Sequence, residues 1–304
     1  MTAAAAQQLE RPGAAAPGGR PQTDQGDAFS PGEYRFTPED FARIAAYLYE
    51  DSGIYLPESK VALVYSRLAK RLRALGLESF HQYCALVGDS GDPKGAQERR
   101  QMLAALTTNV TRFFREPHHF DSLANEVLPG LIARARAGGR VRLWSAGCSS
   151  GQEPYSMALV LLSLFPDAAE HDVRILASDI DPIMVGQARE GRYSDEAIGA
   201  IPQEMRRHLE RDGRDWRMGE PLRRLIAFRE LNLMNAWPMK GRFQVIFCRN
   251  VAIYFDDPTQ QRLWDRFAEV LEPEGRLYIG HSERVTSAKF ESDGLTAYRL
   301  GGRR

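Results

Sequence analysis

The stretch Val141-Arg142-Leu143-Trp144-Ser145-Ala146-Gly147-Cys148-Ser149-Ser150-Gly151-Gln152-Glu153-Pro154-Tyr155-Ser156 reads as a strand that enters a helix through a turn holding two glycines. The glycines let the backbone pass close to a ligand, and a helix N-terminus follows at once. Their spacing is G-x-x-x-G, not the G-x-G-x-x-G of dinucleotide-binding turns. Downstream the alternation repeats. Strands are predicted at 141–146, 173–178, 225–231, 243–248 and 276–280, with helices near 154–165, 182–190 and 258–271 separating most of them. Strands alternating with helices predict an α/β, Rossmann-like domain, a mostly parallel sheet covered on both faces. The final apolar run, 295–300, is expected to pair antiparallel at the far side, and a polar insertion interrupts the pattern at about 193–226.

Upstream the period is helical. Thr37 caps and Pro38 suits the first turn of a helix carrying Phe41, Ile44, Ala45 and Leu48 on one face, with Gly53 after it. A second helix is predicted over 57–75, with Lys60, Arg67, Lys70, Arg71 and Arg73 on the arc opposite its apolar stripe. Two more follow at 79–87 and 97–106, and a longer one at 117–137 that Pro129 bends or breaks. The expected organisation is a tail at 1–32, an N-terminal all-α domain at 33–108 and the α/β domain at 109–304. The tail is rich in Ala, Gly, Pro and Gln and cannot bury enough apolar surface to offset its ordering entropy, so it is expected to be disordered.

Forty basic and forty acidic side chains among 304 residues leave no net charge, which argues against a general nucleic-acid binder. No apolar run approaches the ~20 residues of a membrane span, no secretory signal opens the chain, and Cys84, Cys148 and Cys248 are too scattered for a metal pair. The expectation is a cytoplasmic protein.

Ligands of open parallel sheets bind beyond the carboxyl ends of the strands, so the residues just after each strand carry the functional signal. Asp179 after the second strand is placed to accept two hydrogen bonds from a ribose, whereas Asp181 reads better as the cap of the next helix. Asn232 and Leu233 after the third strand suit the edge and face of an adenine, and Arg249, Asn250 and Tyr254 follow the fourth. With no Walker-type lysine and no basic cluster for phosphates, the pattern fits a nucleoside whose cationic sulfonium lies beside Glu153.

Most of these residues, though not Asn232 and Leu233, lie in motifs that resemble those of the CheR-type chemoreceptor glutamate methyltransferases. The motifs are Leu106-Thr107-Thr108-Asn109-Val110-Thr111-Arg112-Phe113-Phe114-Arg115-Glu116, the 150–156 turn, Ala177-Ser178-Asp179-Ile180-Asp181, Ile246-Phe247-Cys248-Arg249-Asn250-Val251-Ala252-Ile253-Tyr254-Phe255 and Gly280-His281-Ser282-Glu283. The resemblance runs in order from about Thr37 to Leu300. It implies a helical domain joined to a Rossmann-like methyltransferase domain with a small inserted β subdomain, using S-adenosyl-L-methionine and leaving S-adenosyl-L-homocysteine. It also implies that Asn109, Thr111 and Arg115 close over the methionine part of the cofactor, while Glu153, Asp179, Asn232, Leu233, Arg249 and Asn250 line the rest. Arg115 and Tyr254 would sit nearest the methyl group, and the basic face (Lys60, Arg67, Lys70, Arg71, Arg73) would meet the cytoplasmic domain of a methyl-accepting chemotaxis receptor. Two departures stand out. Gln244 replaces an acid common in similar proteins, and the insertion near 211–221 is short where family members grip a receptor C-terminal peptide.

A glutamate carboxylate, with an unperturbed pKa of about 4.3, is already a nucleophile at neutral pH, so no Ser-His-Asp or Cys-His arrangement is needed. Arg115 or Tyr254 is expected to pair with that carboxylate as it leaves water. The competing readings are a structural ion pair for Arg115, core packing for Tyr254, a structural role for His118 and His119, and an ordinary solvated face for the basic helix. RNA phosphates would also suit that face, but it lacks interleaved aromatics. The alternative functions are a same-fold methyltransferase acting on another substrate and a module that binds the cofactor without turnover.

Overall fold

A computed structural model describes residues 33–89 and 91–302; the predicted tail at 1–32 lies outside the described residues. Helix α1 (Pro38–Ser52) starts with a capping box in which Thr37 and Asp40 each accept the other's backbone N–H, and it stops at left-handed Gly53. One 3₁₀ turn leads into α2 (Val61–Leu75), α3 (Phe80–Gly88) is capped by Ser79, and α4 (Pro93–Leu106) is capped by Asp92. The fourth helix thus begins four residues before the expected Gln97, because the Asp92-Pro93 pair is itself a start signal. Phe36, Ile44, Leu48, Val64, Leu68, Leu72, Phe80 and Tyr83 form the core of this layer.

After the crossing segment 107–117 come α5 (His118–Ser122) and α6 (Leu128–Arg136), joined by a π turn at Leu123–Val127. The predicted break at Pro129 takes this form. Proline has no N–H to give to the preceding turn, and the backbone widens so that Leu128 N–H reaches Leu123 O instead.

The α/β part then runs through β1 (Val141–Ala146), α7 (Gln152–Leu164), β2 (Val173–Asp179) and α8 (Pro182–Glu190). The insertion folds as β3 (Arg192–Tyr193), β4 (Leu209–Asp212) and β5 (Asp215–Met218), a separate antiparallel sheet in the order β3-β5-β4 whose hairpin turns at Gly213, φ +63°. Next come α9 (Glu220–Leu225), β6 (Ile226–Glu230), β7 (Phe243–Cys248), α10 (Asp257–Val270), β8 (Leu271–Ile279), β9 (Phe290–Ser292) and β10 (Ala297–Leu300). The main sheet has the order β6-β2-β1-β7-β8-β10-β9, with the first five strands parallel. As expected, β10 pairs antiparallel with β8, and the short β9 adds an unpredicted edge.

Both faces are covered, and the side-chain alternation shows how. Leu143, Ile175, Val245 and Phe247 pack with α5, α6, α7 and α9 in one core, while Trp144, Ala146, Ile246 and Cys248 pack with Leu263, Trp264 and Phe267 of α10 in another. The order reverses at β1, which lies between β2 and β7, so the crevice for a ligand opens at the carboxyl ends of these strands. Among the described residues, no helix is long and apolar enough to cross a membrane.

Candidate functional site

The turn after β1 is bent by left-handed residues at Gly147, Ser149 and Gly151, with φ of +83°, +49° and +97°. Gly147 and Cys148 donate to the Ser178 carbonyl, which fixes the turn to the end of β2. Asp179 sits in this corner: one carboxylate oxygen accepts from Ser149 N at 2.7 Å and the other from Asp181 N at 3.0 Å. Burial raises its pKa while these N–H groups oppose the rise. Each oxygen keeps a second lone pair for an incoming hydroxyl. Asp181 caps α8 through Ile183 N and Met184 N, as expected. Gly151, by contrast, serves packing and not ligand approach, because a Cβ there would lie 2.8 Å from the Ala188 Cβ and the Tyr193 hydroxyl.

The turn after β7 holds Arg249, Asn250 and Tyr254. Asn250 is left-handed, φ +58°, and the backbone N–H groups of Asn250, Val251, Ile253 and Gly280 all point at the Glu283 carboxylate over 2.6–3.2 Å. Burial raises the Glu283 pKa against those four donors. No role was assigned to Glu283 from the sequence, although its motif follows a strand.

The crossing segment is stapled over these tips. Ser149 Oγ donates to Asn109 O, Asn109 Nδ2 to Asp181 Oδ2 at 2.9 Å, and Phe114 N to Ser156 Oγ at 3.0 Å. Phe113 stacks edge-on against Tyr193. Phe114 and Glu116, on either side of Arg115, have φ of +51° and +58°, and backbone strain of this kind is retained where surroundings over-determine it. Arg115 Nη1 donates to Val110 O at 3.1 Å, and among the described residues no carboxylate pairs with it, so the ion-pair reading of Arg115 does not hold. The acid next to it, Glu116, faces His281, Arg249 and His119 instead. Burial works against the Glu116 carboxylate, but donors from His281 and the Arg249 charge hold its pKa down at about 2.

One cavity of about 1010 Å³, counting its open mouth, lies between the helical layer and the strand tips. Asn109, Thr111 and Arg115 line it from the crossing segment, Glu153 from the start of α7, Asp179 from the end of β2, Asn232 and Leu233 from the loop after β6, and Arg249, Asn250 and Tyr254 from the turn after β7. The structure therefore brings together every residue expected around the cofactor and the methyl group. Some side chains are already engaged. Glu153 accepts from Ser145 Oγ at 2.7 Å and from Arg249 Nη1 at 3.1 Å, while burial pushes its pKa up against these partners. The Asn232 amide donates to Asp51 O and accepts from Met234 N, which ties the loop after β6 to the end of α1. The Tyr254 hydroxyl lies 3.5 Å from Thr108 O. Asp179 with spare lone pairs, flanked by apolar Ile180, Leu231 and Leu233, fits a ribose with its base.

The basic arc of α2 divides. Arg67 donates to the carbonyls of Leu106 and Thr107 at 2.9 and 2.7 Å, Arg71 forms a fork with buried Glu98, and Arg73 meets Glu33 at the surface. Lys60 and Lys70 are exposed without an acidic partner among the described residues. His119 is buried against the Phe247 and Tyr278 rings and bonds Thr296, and Cys148 is buried with its thiol pKa raised, so neither faces the cavity. Gln244 is buried and accepts from Arg142 N, a role within the sheet.

Comparison with known proteins agrees with this geometry. Residues 109–298 match the family described as CheR methyltransferase, SAM binding domain, and residues 39–107 match CheR methyltransferase, all-alpha domain. The chain is 54% identical over 260 residues to a probable chemotaxis protein methyltransferase of Rhizobium etli, covering 83% of this chain and 96% of that one. It is 40% identical to chemotaxis protein methyltransferase 2 of Pseudomonas aeruginosa, covering 91% and 99%, and 39% identical to the chemotaxis protein methyltransferase of Escherichia coli, covering 86% and 90%.

Proposed function

This chain belongs to the CheR methyltransferase family, and we propose that the reaction it catalyses is methyl esterification of glutamate side chains on the cytoplasmic domain of methyl-accepting chemotaxis receptors. It is an S-adenosyl-L-methionine-dependent chemotaxis protein methyltransferase. Bound S-adenosyl-L-methionine supplies a methyl group on a sulfonium and is left as S-adenosyl-L-homocysteine.

The observation that carries the choice of a carboxylate acceptor is Arg115, a cavity-lining guanidinium with no carboxylate partner among the described residues. A glutamate carboxylate leaving water needs such a partner, and it needs no general base. In this reading Arg115 pairs with the acceptor, and Tyr254 aims the attacking oxygen. Asp179 holds the ribose hydroxyls, Leu233 packs on the base beside Asn232, and Asn109 and Thr111 close over the methionine part. The Glu153–Arg249 pair and Asn250 complete the floor. What these residues supply is orientation and exclusion of water, worth up to roughly 7–11 kcal/mol in favourable cases. Lys60 and Lys70, with Arg73 beside them, remain to meet an acidic receptor surface, while Arg67 and Arg71 keep that helix in place. A cytoplasmic location follows from this substrate.

The test is incubation with methyl-labelled cofactor and membranes bearing chemoreceptors. Volatile methanol released by mild base is expected from the wild type, with a large loss of rate in Arg115→Ala and Tyr254→Phe at unchanged membrane concentration. A base-stable product rules out esterification, and turnover unaffected by both substitutions removes these two side chains from the reaction.

A further inference from the structure

We infer that the turn Gly280-His281-Ser282-Glu283 after β8, which does not line the cavity, is a common mount for Arg115 and Tyr254, with His281 a positioning residue that acts on Arg115 through Glu116. The inference rests on the reading above, in which those two side chains pair with and aim the acceptor carboxylate. One comes from the crossing segment and the other from the turn after β7. Arg249 supplies a first link between these two segments, and the turn after β8 supplies a second.

The Arg115 guanidinium bonds to Val110 O, inside its own segment, so its place follows the backbone that carries it. That backbone is left-handed on both sides of Arg115, at Phe114 and Glu116, a conformation that persists where surroundings over-determine it. Phe114 N is held by Ser156 Oγ, and the Arg115 carbonyl by Arg249. The third hold is the Glu116 carboxylate. Its Oε1 lies 2.9 Å from His281 Nδ1, and its Oε2 lies 3.3 Å from Arg249 Nη2. Burial works against this carboxylate, yet His281 and Arg249 keep its pKa at about 2, so at neutral pH it is ionised and can only accept. The proton between Glu116 and His281 therefore sits on Nδ1. The His281 side chain is 65% exposed, so it contributes a directed bond and little buried surface.

The other arm of the turn is Glu283, whose carboxylate takes the N–H groups of Asn250, Val251 and Ile253, the backbone that leads to Tyr254. The turn is closed on itself, with Gly280 N donating to Glu283 Oε2 at 2.6 Å and Glu283 N to Gly280 O at 3.0 Å. It also presses on the Asn250 turn. A Cβ at Gly280 would lie 2.5 Å from Asn250 Nδ2 and 2.8 Å from Asn250 N, which only glycine allows. One tight turn thus fixes Glu116 on one side and the approach to Tyr254 on the other.

The experiment measures kcat and KM for chemoreceptor membranes by methanol release, S-adenosyl-L-homocysteine affinity by calorimetry and the unfolding midpoint. The proteins are wild type, His281→Ala, His281→Asn, Glu116→Gln and the double variant His281→Ala/Glu116→Gln. His281→Ala is expected to lower kcat about tenfold, with KM, product affinity and unfolding midpoint unchanged. His281→Asn, whose amide can donate from near the Nδ1 position, is expected to recover most of that rate. The double variant is expected to be no slower than Glu116→Gln alone. Wild-type kcat in His281→Ala, no recovery in His281→Asn, or multiplied losses in the double variant each overturn the inference, and wild type that releases methanol then leaves the glutamate reading standing. A fall in unfolding midpoint or product affinity alongside kcat also overturns it, in favour of a structural role. Wild type that esterifies no receptor defeats the reading itself, and the mount with it.

Discussion

The guanidinium of Arg249, the residue that follows β7, donates to the main-chain carbonyl of Arg115 on the segment arriving from the helical layer. The same guanidinium lies 3.1 Å from Glu153 and 3.3 Å from Glu116, and its side chain is 2% exposed. Two carboxylates from different segments thus share one buried cation, and the segment that presents Arg115 is tied to the sheet through it. Removing one member of a buried pair strands the other. Arg249→Met is expected to cost about 3–5 kcal/mol in denaturant unfolding. Adding Glu153→Gln should return part of that loss; fully additive costs would mean the two do not interact.

Asp179 is the only acid at the end of β2 whose oxygens face the cavity with lone pairs to spare, because Asp181 is occupied as a helix cap. Asp179→Ala is expected to weaken S-adenosyl-L-homocysteine binding by about 1–3 kcal/mol in calorimetry. Unchanged affinity takes Asp179 out of the site.

Glu283 receives two N–H groups on each carboxylate oxygen. In Glu283→Gln one oxygen survives, and the amide NH₂ faces the other two donors. The turn from Asn250 to Tyr254 must shift, and a shift of about 1 Å near the reacting atoms lowers rates by as much as 100-fold. We expect kcat/KM to fall about 10-fold to 100-fold, measured with labelled cofactor. Activity equal to wild type contradicts a positioning role.

His119 carries the clearest pH signature. Burial and the neighbouring Arg249 charge lower its pKa to about 3, so the folded chain keeps it neutral while the unfolded chain takes up a proton below about pH 6.5. The unfolded state then binds more protons, and stability falls as pH falls from about 6.5 towards 3, at up to about 1.4 kcal/mol per pH unit. His119→Gln should flatten this slope between pH 6.5 and 5 in denaturant titrations. An unchanged slope assigns the effect to other groups.

Local signals carried much of this. Thr37-Pro38 and Ser79 mark helix starts that the structure reproduces, Pro129 marks the break, and residues at the ends of β1, β2, β6 and β7 face the cavity, whereas those after β8 do not line it. The basic arc of α2 was read correctly as an arc and incompletely as a surface. Arg67 answers to carbonyls at the end of α4, and Arg71 to Glu98, more than twenty residues away. The partner of Glu116 could not be read for the same reason: a pairing with Arg115 beside it is the local alternative, and His281 is 165 residues distant.

The amino-acid sequence alone determined the periods, the caps and the alternation of strand and helix, because those depend on contacts within a turn or a pleat. It also placed chemically distinctive residues at strand ends. Only the tertiary structure decided that β1 lies between β2 and β7, that the crossing segment folds back over their tips, and that Arg249 bridges Glu153, Glu116 and the Arg115 carbonyl. Those are choices among long-range partners, made by burying two apolar faces of one sheet and by finding a counter-charge for each buried ion, and no local pattern encodes which partner is found.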